Sequence, residues 1–587
     1  MRTTFKAILV AMCVLLPVTS AFTGQEEKSA DLVFKNGRVY TVNPAQPWAE
    51  AVAIRGNTIV HVGSNKEMVD WIGTKTRVVD LQGRMLMPGF IDGHNHFVSG
   101  AAGKRGIKLV GSKNTPEMLQ RIRDYIKANP GKEAYQGFGW EFLMFGEKDG
   151  TRQQLDSICA DKPVVLFNED MHNVWFNTRA MQGAGITKDT PDPVPGASYY
   201  KRGPDGTPSG IAIEPESWQK IAVANGVFGG KEMLKAIADE VFPMIPKMGI
   251  TAYHDMGIWA PDLPQGYLGF ELLMEMEKAG TLPCRVVGVY GIRDGNASPD
   301  QHIAVLKEWS AKYRSDLVQV TGLKIWADGT FLAHTGVELG PYADKPDTRG
   351  DSSWTADALN RWVETAYKNG FDVMIHTDGD LAIRRSLDAA ERASKKAVAS
   401  PARLTSLQHL ATIHPDDLPR FKTLGVGGNM TPVWLVNYKR QYEEAIRILG
   451  REKVGKEYAL AKALMESGAN VTFGADIPGT DLEENPPLFQ IQAAVTGYVP
   501  GDVTTVAPPA SRLPSLAQML YGYTIAGARQ MRLEAKTGSI ETGKRADLIV
   551  LEKNLFDIPP KNLSQVKVLL TMMDGRVRYG AKEMPAF

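Results

Sequence analysis

Residues 85–97 read MLMPGFIDGHNHF, an apolar run that closes on two histidines, His94 and His96, two positions apart. Side chains at i and i+2 of a strand leave the same face, so both imidazoles enter one space. At the mouth of a barrel of parallel strands, that arrangement suits a metal ion. Read alone, the pair also fits a surface loop. The decision therefore rests on whether the rest of the chain supplies a barrel and more ligands.

Seven further apolar runs follow at 249–257, 283–291, 320–329, 370–380, 403–410, 424–430 and 469–479. Helical patterns lie between them, as in TADALNRWVETAYKNG (355–370), LAIRRSLDAAERASKKAV (381–398) and HPDDLPRFKTLG (414–425). Eight strands alternating with helices over about 300 residues predict an α/β chain with a (β/α)8 TIM barrel. The span 103–248, between the first and second strands, is too long for one crossover and predicts an inserted α/β subdomain. Near the N-terminus, ADLVFKNGRVYTV (30–42) and AEAVAIRGNTIVHVGS (49–64) alternate apolar and polar residues around Asn-Gly and Gly-Asn turns. Segments 538–554 and 566–580 behave alike, so both termini are expected to build one β-sandwich. The expected division is 31–86 with 536–587 for the sandwich, 87–102 with 249–535 for the barrel, and 103–248 for the insertion.

Arg2 and Lys6 precede an apolar stretch from Ala7 to Val18, and Val18-Thr19-Ser20-Ala21 supplies small residues for cleavage. This predicts a signal peptide over 1–21 and a periplasmic or secreted product, the apolar run being short for a membrane span. No stable membrane insertion is expected after cleavage. Lys+Arg number 67 against 66 Asp+Glu, a balance that argues against a nucleic-acid binder. Three cysteines exclude a disulfide scaffold and a closed Cys-type zinc site; Cys159 and Cys284 read as buried free thiols. A homo-oligomer is compatible with the sequence.

The later strands end in further ligand-type residues: His376 closes GFDVMIH, His409 closes RLTSLQH and Asp476 closes VTFGAD. Their spacings match about one and two β/α units, so all would converge on one barrel face. Alternation in GLKIWADG puts Lys324, Trp326 and Asp328 on one side of the fourth strand. A lysine pointing inward loses its proton readily when buried, and a neutral amine can take up carbon dioxide as a carbamate. An ion pair with Asp328, or a role in holding substrate, are the competing readings of Lys324. His172 in EDMHNVWFN lies in the insertion; His254 and His334 are weaker candidates, and His61, His302 and His414 read as peripheral. Phe138, Trp140, Trp175 and Trp326 are candidate walls of an apolar pocket. No GxSxG nucleophile element is evident.

With MPGFIDGHNHF, DKPVVLFNEDMHNVWFNTRAM, GTPSGIAIEPESW, LKIWADGTFLAHTGVELGPYAD, LTSLQHLATIHPDDLPRFKTLG, VTFGADIPG and GSIETGKRADLIVLE in view, the chain resembles the metal-dependent amidohydrolase superfamily. Within it, the likeness is to the amidohydrolase-3 group that includes N-substituted formamide deformylases. The matching stretches span almost everything after the leader. The resemblance implies a (β/α)8 barrel, a sandwich from both termini, and one or two divalent ions, usually zinc, with other divalent metals compatible. It further implies His94, His96, His376 and His409 as ligands, Lys324 as an N6-carboxylated bridging ligand, and Asp476 as a metal-linked general base. In that group the segment holding His172 contributes to the site, making His172 a candidate for contacting the substrate carbonyl or leaving group; a structural role fits equally. The implied activity is hydrolysis of carbon–nitrogen bonds other than peptide bonds, in an N-substituted amide, formamide or cyclic amide of small-molecule size. An ester, lactone or carbamate substrate, and a non-catalytic ligand-binding or regulatory homologue, are the alternatives. The chain departs from the group's pattern at Gln408, at Thr377-Asp378-Gly379-Asp380 and at Ala475.

Overall fold

The computed structural model describes residues 28–146, 149–227, 230–258, 265–396, 404–502 and 508–580. The leader expected at 1–21 lies outside the described residues. Among those described, no helix is long and apolar enough to cross a membrane.

Eight parallel strands stand in sequential order in one sheet. They are β1 (Phe90–Asn95), β2 (Ile250–Ile258), β3 (Arg285–Ile292), β4 (Val318–Trp326), β5 (Asp372–Thr377), β6 (Thr405–His409), β7 (Gly427–Met430) and β8 (Val471–Phe473). The sheet curls until its two edges meet: the Asp476 N–H donates to the His94 carbonyl at 3.0 Å. The result is the expected TIM barrel. All eight residues of β3 are buried, as befits a strand covered by helices on one face and by the barrel interior on the other. The helix Ala356–Asn369 shows how the sequence sets these elements. Thr355 caps its start by accepting the Ala358 N–H, Gly370 ends it at φ 92°, and Leu359, Trp362, Val363 and Ala366 form the buried stripe.

Two further sheets stand beside the barrel, one of N-terminal strands alone and one of strands from both termini. Thr58–Gly63, Ala51–Arg55, Leu32–Lys35 and Arg77–Asp80 form one of them. In the other, the C-terminal strand Leu548–Leu551 pairs antiparallel with Met85–Pro88. Both of these strands are buried on both faces: Leu86, Leu548 and Val550 join the core between the two sheets, while Met85, Met87, Ile549 and Leu551 join the core of the barrel. The run 85–97, continuous in sequence, thus breaks at Gly89, its first half belonging to the sandwich and its second to the barrel.

Between β1 and β2 stands a six-stranded mixed sheet, from Ile107–Lys108 to Pro208–Ile213, with a separate hydrophobic cluster on each face. The helix Lys231–Val241, which the sequence division assigned to the insertion, packs Leu234, Ile237, Ala238 and Val241 into the barrel core. It serves as the crossover helix of the first β/α unit, because a parallel pair needs such a covering helix.

Candidate metal centre

His94, His96, Lys324, His376, His409 and Asp476 all line one cavity of about 640 Å³ at the C-terminal ends of the strands. The Asp476 carboxylate sits at their centre. Its Oδ1 is 3.5 Å from both His94 Nε2 and His96 Nε2, and its Oδ2 is 3.7 Å from His409 Nδ1. The rings of His376 and His409 lie 4.2 Å apart, centroid to centroid. His409 and Asp476 occupy left-handed backbone, at φ 74° and 54°. Such conformations cost of order 1–3 kcal/mol each and persist where the surroundings over-determine them.

Neighbouring groups aim these imidazoles. His94 Nδ1 donates to Gln408 Oε1 at 2.9 Å, while Gln408 Nε2 donates to Ser406 Oγ, fixing the amide orientation. His376 Nδ1 lies 3.2 Å from Asp328 Oδ1. In each case the bond at Nδ1 leaves Nε2 as a lone-pair donor, the arrangement metal-binding histidines use. Burial, then the nearby Lys324 ammonium, holds His94 well below its ordinary pKa and His96 at about 3. Burial and then other neighbouring cations do the same for His376 and His409. Neutral imidazoles are the form a cation requires.

Lys324 is buried, and its Nζ has no hydrogen-bond partner among the described residues. Burial lowers its pKa to about 7 against the opposing pull of Asp476. The ion pair with Asp328 is not formed. The strand ends at Trp326, alternation stops there, and the Asp328 carboxylate instead accepts the N–H groups of Val337, Asp378 and Gly379. An orphaned amine beside four imidazoles and a carboxylate is a donor set that fits one or two divalent ions.

His172 reaches the same cavity from the insertion. Its Nδ1 is 2.7 Å from Glu214 Oε2, and Glu214 Oε1 accepts from Thr335 Oγ1 at 2.7 Å. Burial alone would lower the His172 pKa; the Glu214 charge and hydrogen bond overcome it and raise it to about 9. Of the aromatic candidates, only Trp326 lines the cavity. Phe138, Trp140 and Trp175 pack inside the insertion, with the Trp140 and Trp175 indole N–H groups bonded to backbone carbonyls. Phe142, Leu143 and Trp434, on short 3-10 turns, line the cavity as well. His334 lines the cavity and pairs with Asp344 at 2.9 Å, whereas His254 is buried within the barrel against Gln530.

Several working residues escaped the sequence reading. Asp92, inside the quoted run, receives N–H bonds from His94 and the Asn95 side chain and steadies the β1 end. Glu214 lay in a matched stretch without a role. Arg293, just after β3, had no signal beyond its position at a strand end.

A (β/α)8 barrel with histidines and an aspartate gathered at its mouth defines a metal-dependent hydrolase. The chain belongs to the amidohydrolase family, whose model matches residues 77–579. It is 27% identical over 556 residues to Protein LONG AFTER FAR-RED 3 of Arabidopsis thaliana, covering 94% of this chain and 92% of that one. It is 24% identical to the N-substituted formamide deformylase of Arthrobacter pascens, covering 94% and 98%. In fold it is similar to an uncharacterized metal-dependent hydrolase from Pyrococcus horikoshii OT3, with TM-score 0.68, 23% identity, and coverage of 90% and 99%.

Proposed function

We propose that this chain is an exported hydrolase of carbon–nitrogen bonds other than peptide bonds, acting on N-substituted amides, formamides or cyclic amides. The observation that carries this reading is the convergence, on a single cavity, of four neutral imidazoles, one carboxylate and a lysine without a hydrogen-bond partner among the described residues. The deformylase name carried by a full-length relative points the same way. His94, His96, His376, His409 and Asp476 would hold zinc or another divalent ion. When bound, such an ion supplies Lewis acidity, making water more acidic and polarising a carbonyl.

The chain's own groups supply the rest. The Asp476 carboxylate, within 3.5 Å of two imidazoles, takes the proton from the attacking water and returns it to the departing nitrogen. His172, oriented by Glu214, donates a hydrogen bond to the substrate carbonyl or leaving group. The neutral Lys324 amine would attack carbon dioxide, forming an N–C bond as one C=O π bond opens onto oxygen and the nitrogen gives a proton to water; the resulting carbamate would offer oxygen ligands. The leader over 1–21 directs the chain to the periplasm or the exterior.

The test is metal analysis together with turnover of N-formyl, N-acyl and cyclic amides by metal-reconstituted protein. Metal-dependent hydrolysis of at least one class is expected; fully loaded protein that cleaves none of them refutes the reading. Intact mass under mild conditions should show an acid-labile carbon dioxide adduct that Lys324→Met lacks. Active, loaded protein without the adduct removes the carbamate. Asp476→Asn should lose turnover by at least about 100-fold while metal bound by the histidines remains.

A further inference from the structure

Arg293 opens the loop after β3, and its guanidinium lies on the wall of the same cavity. The backbone there is pinned, the Arg293 carbonyl accepting the Trp354 indole N–H at 2.8 Å. The guanidinium lies over the Trp326 ring, 3.9 Å from its centroid, and the side chain is 12% exposed. Nε is buried without a hydrogen-bond partner among the described residues. The nearest acid, Glu216, approaches to 4.0 Å, beyond hydrogen-bond reach. Glu214 adds negative charge nearby, but its two oxygens are already hydrogen-bonded, to His172 and Thr335.

A buried guanidinium without a hydrogen-bonded counter-charge is expensive, because its lost hydration is not fully replaced. Stacking on an aromatic ring offsets only part of that cost. Burial also pushes the Glu216 carboxyl upward, against the opposing pull of the Arg293 charge. An anion entering the cavity would supply a hydrogen-bonded counter-charge. A planar donor fork placed over an indole matches a carboxylate, which it can grip with two parallel bonds. Trp326 is two residues from Lys324 on β4, so the fork stands close to the reacting end of the cavity.

We propose that Arg293 forms an anion subsite for a substrate carboxylate, so that the amide cleaved by this chain carries a carboxylate within a few bonds of the scissile carbon–nitrogen bond. The subsite deepens the amidohydrolase reading given above and rests on it for the word substrate.

The experiment measures binding to the metal-loaded full chain by calorimetry. The probes are N-formyl-, N-acetyl- and N-benzoylglycine, each paired with its glycinamide, which differs only in replacing the carboxylate by a neutral amide. At least one carboxylate should bind about 10-fold or more tightly than its partner. Arg293→Gln should abolish that preference while leaving glycinamide binding unchanged, and Arg293→Lys should restore part of it. A wild-type chain that prefers no carboxylate in any pair overturns the subsite, whether or not the variants fold. A preference that persists in Arg293→Gln overturns it too. Turnover of the same probes separates the two readings: carboxylate preference lost in Arg293→Gln, without hydrolysis of any amide, keeps the subsite and refutes the amidohydrolase activity. Hydrolysis of both members of a pair with equal binding refutes the subsite alone.

Discussion

Glu214 sits at φ 62°, ψ 151°, a backbone conformation unusual for any residue with a side chain, and from there it reaches both His172 and Thr335. Strain of this kind survives only where its surroundings impose it. Its use here is to hold an imidazole against the cavity, which makes Glu214 a positioning residue. Glu214→Gln is expected to lower kcat about 10- to 100-fold with KM and metal content little changed, measured by steady-state kinetics and metal analysis. A loss confined to metal content would instead assign Glu214 to the metal. Asp255 is a different case, a carboxyl pushed up to about 7 by burial on β2 with Oδ1 unbonded. An unfolded chain ionises aspartate near pH 4, so between about 4 and 7 the folded state holds a proton that the unfolded state has released. Stability therefore falls as pH rises through that window. Asp255→Asn should raise Tm at pH 8 by several degrees and change it little at pH 4, read by thermal melts at both values.

At the scale of elements, strand ends decide the site. The period-2 pattern correctly separates Lys324 and Trp326, which reach the cavity, from Leu323 and Ile325, which enter the barrel's hydrophobic core. It fails at Asp328 because the strand has already ended, and the carboxylate becomes a cap for the N–H groups of the β4 and β5 loops. Gly379 is part of that turn: a Cβ there would stand 2.2 Å from the Val337 carbonyl oxygen. The closing seam between β8 and β1 has the same character. At Gly474 a Cβ would come within 2.4 Å of the His94 nitrogen and 2.5 Å of its oxygen, both backbone atoms that cannot step aside. Gly474→Ala is expected to push the Asp476 and His94 segments apart, lowering metal content and turnover together. Normal metal occupancy in a folded Gly474→Ala protein would show that the seam tolerates a wider gap.

Across the whole molecule, the barrel and the composite sandwich are locked by a buried ion pair. Arg285, at the start of β3, donates from Nε to Asp547 Oδ2 at 2.9 Å and from Nη2 to Asp574 Oδ1 at 3.0 Å. The Arg285 and Asp547 side chains are 3% and 0% exposed. Removing one partner of such a pair leaves an uncompensated charge and typically costs about 3–5 kcal/mol. Asp547→Ala should destabilise the chain by about that amount in denaturant melts, with the half-buried Asp574 contact softening the loss. A change below about 1 kcal/mol would mean that water or Asp574 compensates fully.

The sequence by itself determined the eight-strand order, the barrel, and which residues stand at strand ends, because a strand's period and the length of a β/α unit are local properties written along the chain. It also placed both termini in one sandwich, since their hairpin patterns are alike and neither could bury a face alone. Tertiary structure alone decided the partners that aim the site's imidazoles, Gln408 on His94, Asp328 on His376 and Glu214 on His172, and set Arg293 over Trp326. These contacts join residues tens to hundreds of positions apart, and no periodicity encodes them. The same holds for the helix Lys231–Val241, whose apolar stripe was legible but whose choice between insertion and barrel depended on which surface lay beside it.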